Sequence, residues 1–236
     1  MKRYLPFILI VFVAAAALTS GFLVYRAKRA ELTRVLADDK SEDKASTTRE
    51  SSHMRGDGSA RVTLEEFGDF QCPPCATVAA TLLRIEHDYG GKLRVIFREF
   101  PLPMHVHAQE AACAAEAAGL QGRFWEMHDL LYRNQSTWTA AAKIEDIFKK
   151  YAFTLGLDVE RFLRDSASEQ VRERVATDHA QGEARGVTAT PTLFINGHNI
   201  PPASLNEAGL RGAIDAALEG KPISPPTATP TTTPTK

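Results

Sequence analysis

Apolar and polar positions fall into four regimes along the 236-residue chain. After Met1-Lys2-Arg3-Tyr4, an apolar run extends from Leu5 to Val24. As a helix, twenty such residues reach about 30 Å, the thickness of a bilayer's hydrocarbon core. The pattern predicts an N-terminal membrane anchor over residues 1–29. Small residues at Ala14 to Ala17 also suit a cleavable signal peptide, but Phe22-Leu23-Val24-Tyr25 carries the run past that point and favours an uncleaved signal-anchor. Residues 30–60 are charged, rich in Ser and Thr and poor in large apolar groups, which predicts a flexible tether with a reach of roughly 30 Å. Residues 221–236 are nearly all Thr, Pro, Ala and Ser, a composition that predicts a disordered tail.

Between these lies one folded domain, expected over residues 61–220. Val62 to Phe67 reads as a strand, and Ala76 to Tyr89 as a helix with Val78, Leu82, Leu83 and Ile85 apolar and a Gly90-Gly91 stop. Leu93 to Arg98 is a second strand. Helical periodicity then holds over His107–Gly119, Arg123–Asn134, Ala141–Leu155, Val159–Arg164 and Ser168–Arg185. A strand returns at Thr192 to Ile195, followed by Asn196-Gly197, a strong hairpin signal. A last helix is expected from Leu205 to Glu219, capped by Ser204 with Glu207 at its third position. The order implies a three-layer α/β domain with a helical insert over about 105–186.

Charge narrows the function classes. With 28 basic and 29 acidic residues the net charge is −1, so nothing points to nucleic acid as a partner. Lys2 and Arg3 precede the anchor, while Arg26, Lys28, Arg29 and Arg34 follow it, so charge bias leaves the orientation open. Three cysteines are too few for a disulfide framework.

Two of them carry the candidate chemistry. Cys72-Pro73-Pro74-Cys75 stands where the first strand hands over to a helix. First-turn N–H groups and the helix dipole favour a thiolate at Cys72, and Cys75 lies one turn deeper, where it can close a disulfide. Pro73 and Pro74 contribute no backbone donor, which tunes the thiolate toward a less depressed pKa. Each pKa unit forgone is about 1.4 kcal/mol, or about 30 mV for a two-electron couple. The alternatives are structural thiols or half a metal site, but a second pair at ligand spacing is missing from the sequence. Cys113, in the Ala-rich segment Ala111 to Ala115, is expected to be buried and inert. His105 and His107 are spaced like a metal pair but read as the lead-in to a helix; Trp125, Met127 and Leu131 read as core.

The stretches Phe67-Gly68-Asp69-Phe70-Gln71-Cys72-Pro73-Pro74-Cys75, Gly122-Arg123-Phe124-Trp125-Glu126-Met127-His128-Asp129-Leu130-Leu131 and Gly186-Val187-Thr188-Ala189-Thr190-Pro191-Thr192-Leu193-Phe194-Ile195-Asn196-Gly197 resemble the membrane-anchored DsbA-like thiol–disulfide oxidoreductases of the thioredoxin superfamily. The resemblance covers about Val62 to Glu219 and implies a thioredoxin-like fold with a central mixed sheet. It implies that Thr190-Pro191 is a cis-proline loop facing the cysteines, where substrate backbone pairs with Thr190. It also implies that Glu66, six residues before Cys72, is a buried acid that takes a proton from Cys75. Glu65, of opposite strand parity, should face elsewhere.

The activity implied is disulfide exchange with cysteine-containing protein substrates, most simply as an oxidant, with an exposed Cys72 sulfur as the point of attack. A reductase or isomerase on the same fold is the alternative. No cofactor is expected. A quinone-linked membrane protein would reoxidise the pair. The redox chemistry places the domain outside the cytoplasm, on the periplasmic side of a single-pass anchor.

Overall fold

The computed structural model describes residues 53–223. The expected anchor, most of the tether and all but the first residues of the expected tail lie outside them. Among the described residues no helix is long and apolar enough to cross a membrane.

Five strands form one mixed sheet in the order β1-β3-β2-β4-β5. β2 (Val62–Gly68) lies at its centre, parallel to β3 (Leu93–Glu99) and antiparallel to β4 (Thr192–Ile195). β1 (His53–Gly56) closes the β3 edge and β5 (His198–Asn199) the other. The fold therefore begins before residue 60, inside the stretch expected to be tether. His53 to Gly56 carries no apolar alternation because an edge strand packs only part of one face, so pattern alone could not reveal it.

α1 (Pro73–Tyr89) buries Cys75, Val78, Leu82 and Ile85 along one stripe, three or four residues apart. Together with α8 (Glu207–Leu218) it covers one face of the sheet, through Val62, Leu64, Val95, Leu193 and Ile195 below and Leu210 and Ile214 above. The insert follows as α2 (Ala108–Gly119), α3 (Phe124–Arg133), α4 (Gln135–Thr139), α5 (Ile144–Thr154), α6 (Val159–Ser166) and α7 (Glu169–Ala184). α2 is almost all alanine on its buried positions, which lets α3, α6 and α7 approach closely. α7 ends the insert by crossing to the opposite face of the sheet. There a Cβ at Gly182 would stand 2.6 Å from the Phe100 ring and 2.9 Å from that of Phe67.

One cap differs from expectation. Ser204 ends a 3-10 turn with its hydroxyl buried, and Asn206 caps α8 instead by accepting from the Gly209 N–H at 3.0 Å. Glycine is required at 209, since a Cβ would fall 2.5 Å from the Ser204 carbonyl.

Candidate active site

β2 and α1 meet at the cysteine pair. Cys72 is the N-cap of α1, in extended conformation, with Pro73 and Pro74 in the first turn, where missing N–H groups cost the helix nothing. The loop before it is held from three sides. Asp69, wholly buried, accepts from the Gln71 N–H at 2.7 Å and the Leu102 N–H at 2.8 Å, and pairs with His105 Nδ1 at 2.7 Å. Gln71 Oε1 accepts from the His107 N–H at 2.7 Å. Gln135, in α4, donates from Nε2 to the carbonyls of Phe70 and Cys72 at 2.7 and 2.9 Å. His105 is thus an anchor of the loop. Among the described residues no group of three or more His, Cys, Asp or Glu side chains is placed to hold a metal.

The Thr190–Pro191 peptide bond is cis, and its loop faces α1. Cys72 Sγ donates to the Thr190 carbonyl at 3.3 Å. Cys72 is only 4% exposed, against the expectation of an open sulfur. The Thr190 loop lies on one side of it and the Phe70 cluster on the other.

The two thiols sit in opposite electrostatic settings. Cys72 is drawn down to about 6, first by the hydrogen bond from the Cys75 thiol, then by the Thr190 side chain and the Cys75 N–H. The Thr190 hydroxyl is buried without another partner, free to donate to the thiolate. Cys75, fully buried, is pushed far up by burial, by its bond to Cys72 and by Glu66. Of the two, Cys72 is the sulfur that gives up its proton first and Cys75 the one that keeps it.

Glu66 lies on the α1 face, 1% exposed, with Oε1 unpartnered. Burial first, then the Cys72 charge, push its carboxyl up to about 8. Its neighbour Glu65 points to the other face, where it accepts from Arg98 Nε at 2.9 Å and pairs with Arg185.

A family model described as thioredoxin matches residues 48–216. The chain belongs to the thioredoxin family. Its fold is DsbA-like within that family, as solved structures make clear. Oxidised BdbD from Bacillus subtilis superimposes with a TM-score of 0.65 at 22% identity, over 72% of this chain and 95% of that one. A thioredoxin-like oxidoreductase from Silicibacter pomeroyi gives 0.61 at 26% identity, over 72% and 93%. Wolbachia pipientis alpha-DsbA1 gives 0.61 at 18%, over 72% and 92%. Among curated sequences, Na(+)/H(+) antiporter NhaA 1 of Mycolicibacterium gilvum is 40% identical over 153 residues, and that of Salinispora arenicola 38% over 174. These matches take in 63% and 73% of this chain but 24% and 26% of those proteins, so the chain spans about a quarter of their length.

In this thioredoxin-family domain the structure brings Cys72, Cys75, Glu66, Thr190, Pro191, Pro73 and Pro74 to one rim of the sheet. Cys113 is apart, buried in α2 and pushed up to about 11 by burial, with Gln109 Nε2 3.6 Å from its sulfur. A cleft of about 520 Å³ opens beside it, between Gln109, Phe148, Phe162 and Arg172, and reaches neither Cys72 nor Cys75. Sequence reading missed Asp69 and Gln135 as loop anchors. Asp69 had a local signal, an Asp two residues before a turn N–H. Gln135 had none, being 63 residues from the carbonyl it holds.

Proposed function

We propose that this domain is a protein thiol–disulfide oxidoreductase working through Cys72 and Cys75, and that it acts as an oxidant of extracytoplasmic proteins. The observation that carries the reading is the asymmetry of the pair: a thiol drawn down to about 6 beside one driven far up. A low-pKa thiol is a good leaving group and stabilises the reduced enzyme, which makes its disulfide oxidising.

In the forward reaction a substrate thiolate attacks Cys72 Sγ. The Cys72–Cys75 bond breaks, its electron pair goes to Cys75, and Cys75 takes a proton. A second substrate thiolate then attacks its own sulfur in the mixed disulfide, forming the substrate disulfide and releasing Cys72 as thiolate. The reverse of the first step restores the pair. Cys75 attacks Cys72 in a mixed disulfide, its proton passes to the Glu66 carboxylate, and the partner leaves as thiolate. The Thr190–Pro191 loop supplies the docking edge for the substrate, with the Thr190 carbonyl beside the reacting sulfur. Pro73 and Pro74 tune the pair by withholding donors from Cys72.

An N-terminal anchor over residues 1–29 would hold the domain at the membrane, on the periplasmic side, within reach of a quinone-linked partner. The sequence likeness to part of proteins named as Na(+)/H(+) antiporters supports a membrane setting.

Cys72→Ala is expected to abolish exchange in both directions, and Cys75→Ala to trap mixed disulfides with client proteins through Cys72. Trapping through Cys113 would overturn the assignment. The reduction potential of the purified protein decides the direction: a value well above that of thioredoxin, about −270 mV, fits an oxidant, and one at or below it makes the protein a reductase.

A further inference from the structure

Asp69 and His105 stand 36 residues apart in the chain and meet behind the cysteine pair, and disulfide exchange as set out above uses neither. Asp69 holds the loop before Cys72 through every polar atom of its carboxylate. Oδ1 accepts from the Gln71 N–H at 2.7 Å, the turn an Asp makes with the amide two residues on. Oδ2 accepts from the Leu102 N–H at 2.8 Å and meets His105 Nδ1 at 2.7 Å. The Asp69 carbonyl also accepts from the Cys72 N–H at 3.0 Å, so this one residue shapes the turn that delivers the reacting sulfur. An amide could not do the same. Asn has an acceptor on one side only, and its NH2 group would face either the Gln71 donor or the two donors at Oδ2. The loop therefore requires a buried carboxylate close to Cys72.

That requirement works against the chemistry. The Asp69 carboxylate is a like charge to the Cys72 thiolate and pushes the Cys72 thiol up. Asp69 is 1% exposed, so little water screens it. Among the described residues its one ion-pair partner is His105. Both Asp69 oxygens accept from backbone N–H groups, so the carboxylate accepts from the imidazole too, and Nδ1 carries the hydrogen. Such a bond draws charge off the carboxylate, and an imidazolium draws it more strongly than a neutral ring. The His105 side chain does this without carrying the backbone. The His105 N–H donates to the Leu102 carbonyl at 3.0 Å, its carbonyl accepts from the Ala108 N–H at 3.1 Å, and the His107 N–H donates to Gln71. Those bonds hold the loop whatever side chain stands at position 105. The ring borders a cleft of about 500 Å³, whose other titratable groups, His179 and Glu183, stand 3.8 Å from each other.

We propose that His105 is a positioning residue for the exchange reaction: by binding the Asp69 carboxylate it draws that charge away from Cys72, and so keeps the Cys72 thiolate stable and the disulfide oxidising. The loop keeps the acid that its turn requires, and the reacting sulfur is shielded from most of that acid's field. This rests on the reading of Cys72 and Cys75 as the exchanging pair, and the test separates the two.

The reduced full-length protein is titrated by the ultraviolet absorbance of thiolate, in which Cys75 and Cys113, both held up, stay silent until well above the Cys72 midpoint. The same protein is then equilibrated with glutathione. His105→Leu should raise the Cys72 midpoint by about half to one pH unit. At neutral pH it should favour the enzyme disulfide about three- to fivefold, which is about 15–20 mV for a two-electron couple. His105→Asn, whose amide nitrogen can take the place of Nδ1, should recover about half of that shift or more. In the Asp69→Asn background His105→Leu should leave the midpoint where it is, because the imidazole acts through the carboxylate. If that background does not fold, the contrast between His105→Leu and His105→Asn decides alone. A shift in His105→Asn as large as in His105→Leu, or an undiminished one in the Asp69→Asn background, would make the ring a packing group and overturn the inference. A lowered Cys72 midpoint that His105→Leu does not move removes this inference and keeps the pair. An ordinary thiol midpoint in the unaltered protein removes the reading of the pair itself, and this inference falls with it.

Discussion

The two faces of the central sheet treat buried charge in opposite ways. On the α7 face, Arg98 bridges Glu65 at 2.9 Å and Asp178 at 2.9 Å, Arg185 also pairs with Glu65, and the Glu99 N–H donates to Asp178 at 3.3 Å. Glu65 and Asp178 each have a cation there. On the α1 face, one residue over, Glu66 and Glu99 are buried with unpartnered oxygens, and the thiols of Cys72 and Cys75 lie near Glu66. Paired charge fixes how α7 sits on the sheet. Unpaired acids are costly to the fold, and the proton exchange proposed for Glu66 gives a reason to keep one there. Adjacent positions on a single strand, Glu65 and Glu66, divide the two roles by parity alone.

The comparison can be broken from either side. Arg98→Met leaves Glu65 and Asp178 without their shared cation, and a loss of about 3–5 kcal/mol in urea unfolding is expected, with exchange activity at permissive temperature retained. Glu66→Gln should act in the opposite direction. A carboxyl whose folded pKa is raised gives its full share of stability below the unfolded value of 4.5, and loses it as pH rises to the folded value of about 8. The variant should match wild type in acid and exceed it by about 4 kcal/mol at pH 8, read from the same unfolding series. Glu65→Gln, which keeps a hydrogen-bond acceptor for Arg98 near the surface, should cost about 1 kcal/mol or less and leave resolution by Cys75 unchanged.

How much of this was legible beforehand follows from where each signal lies. The β2 strand, the Cys-Pro-Pro-Cys helix start and the insert each announce themselves through local pattern, and the Thr190–Pro191 loop through the family resemblance. Parity alone put Glu65 and Glu66 on opposite faces. What escaped depends on packing between distant segments. β1 has four residues on an edge, too short and too polar to read. α4 has five, less than two helical turns, and its Gln135 acts through two carbonyls far upstream. Glu99 stood just beyond the expected end of its strand, so its inward direction was not considered. The Thr190 loop was expected to face the cysteines, but that it and the Phe70 cluster would leave the Cys72 sulfur buried was not.

The central claim is that Glu66 is an unpaired acid poised to exchange a proton with Cys75, and the most direct measurement is its own titration. Carbon-13 labelling of glutamate carboxyls in the reduced protein allows the Glu66 resonance to be assigned by its absence from Glu66→Gln and followed with pH. A midpoint near 8, moving when Cys72 is replaced by alanine, is expected from the burial of Glu66 and the thiolate it faces. A midpoint near the ordinary 4.5, unmoved by that replacement, would make Glu66 a solvated bystander and contradict the claim.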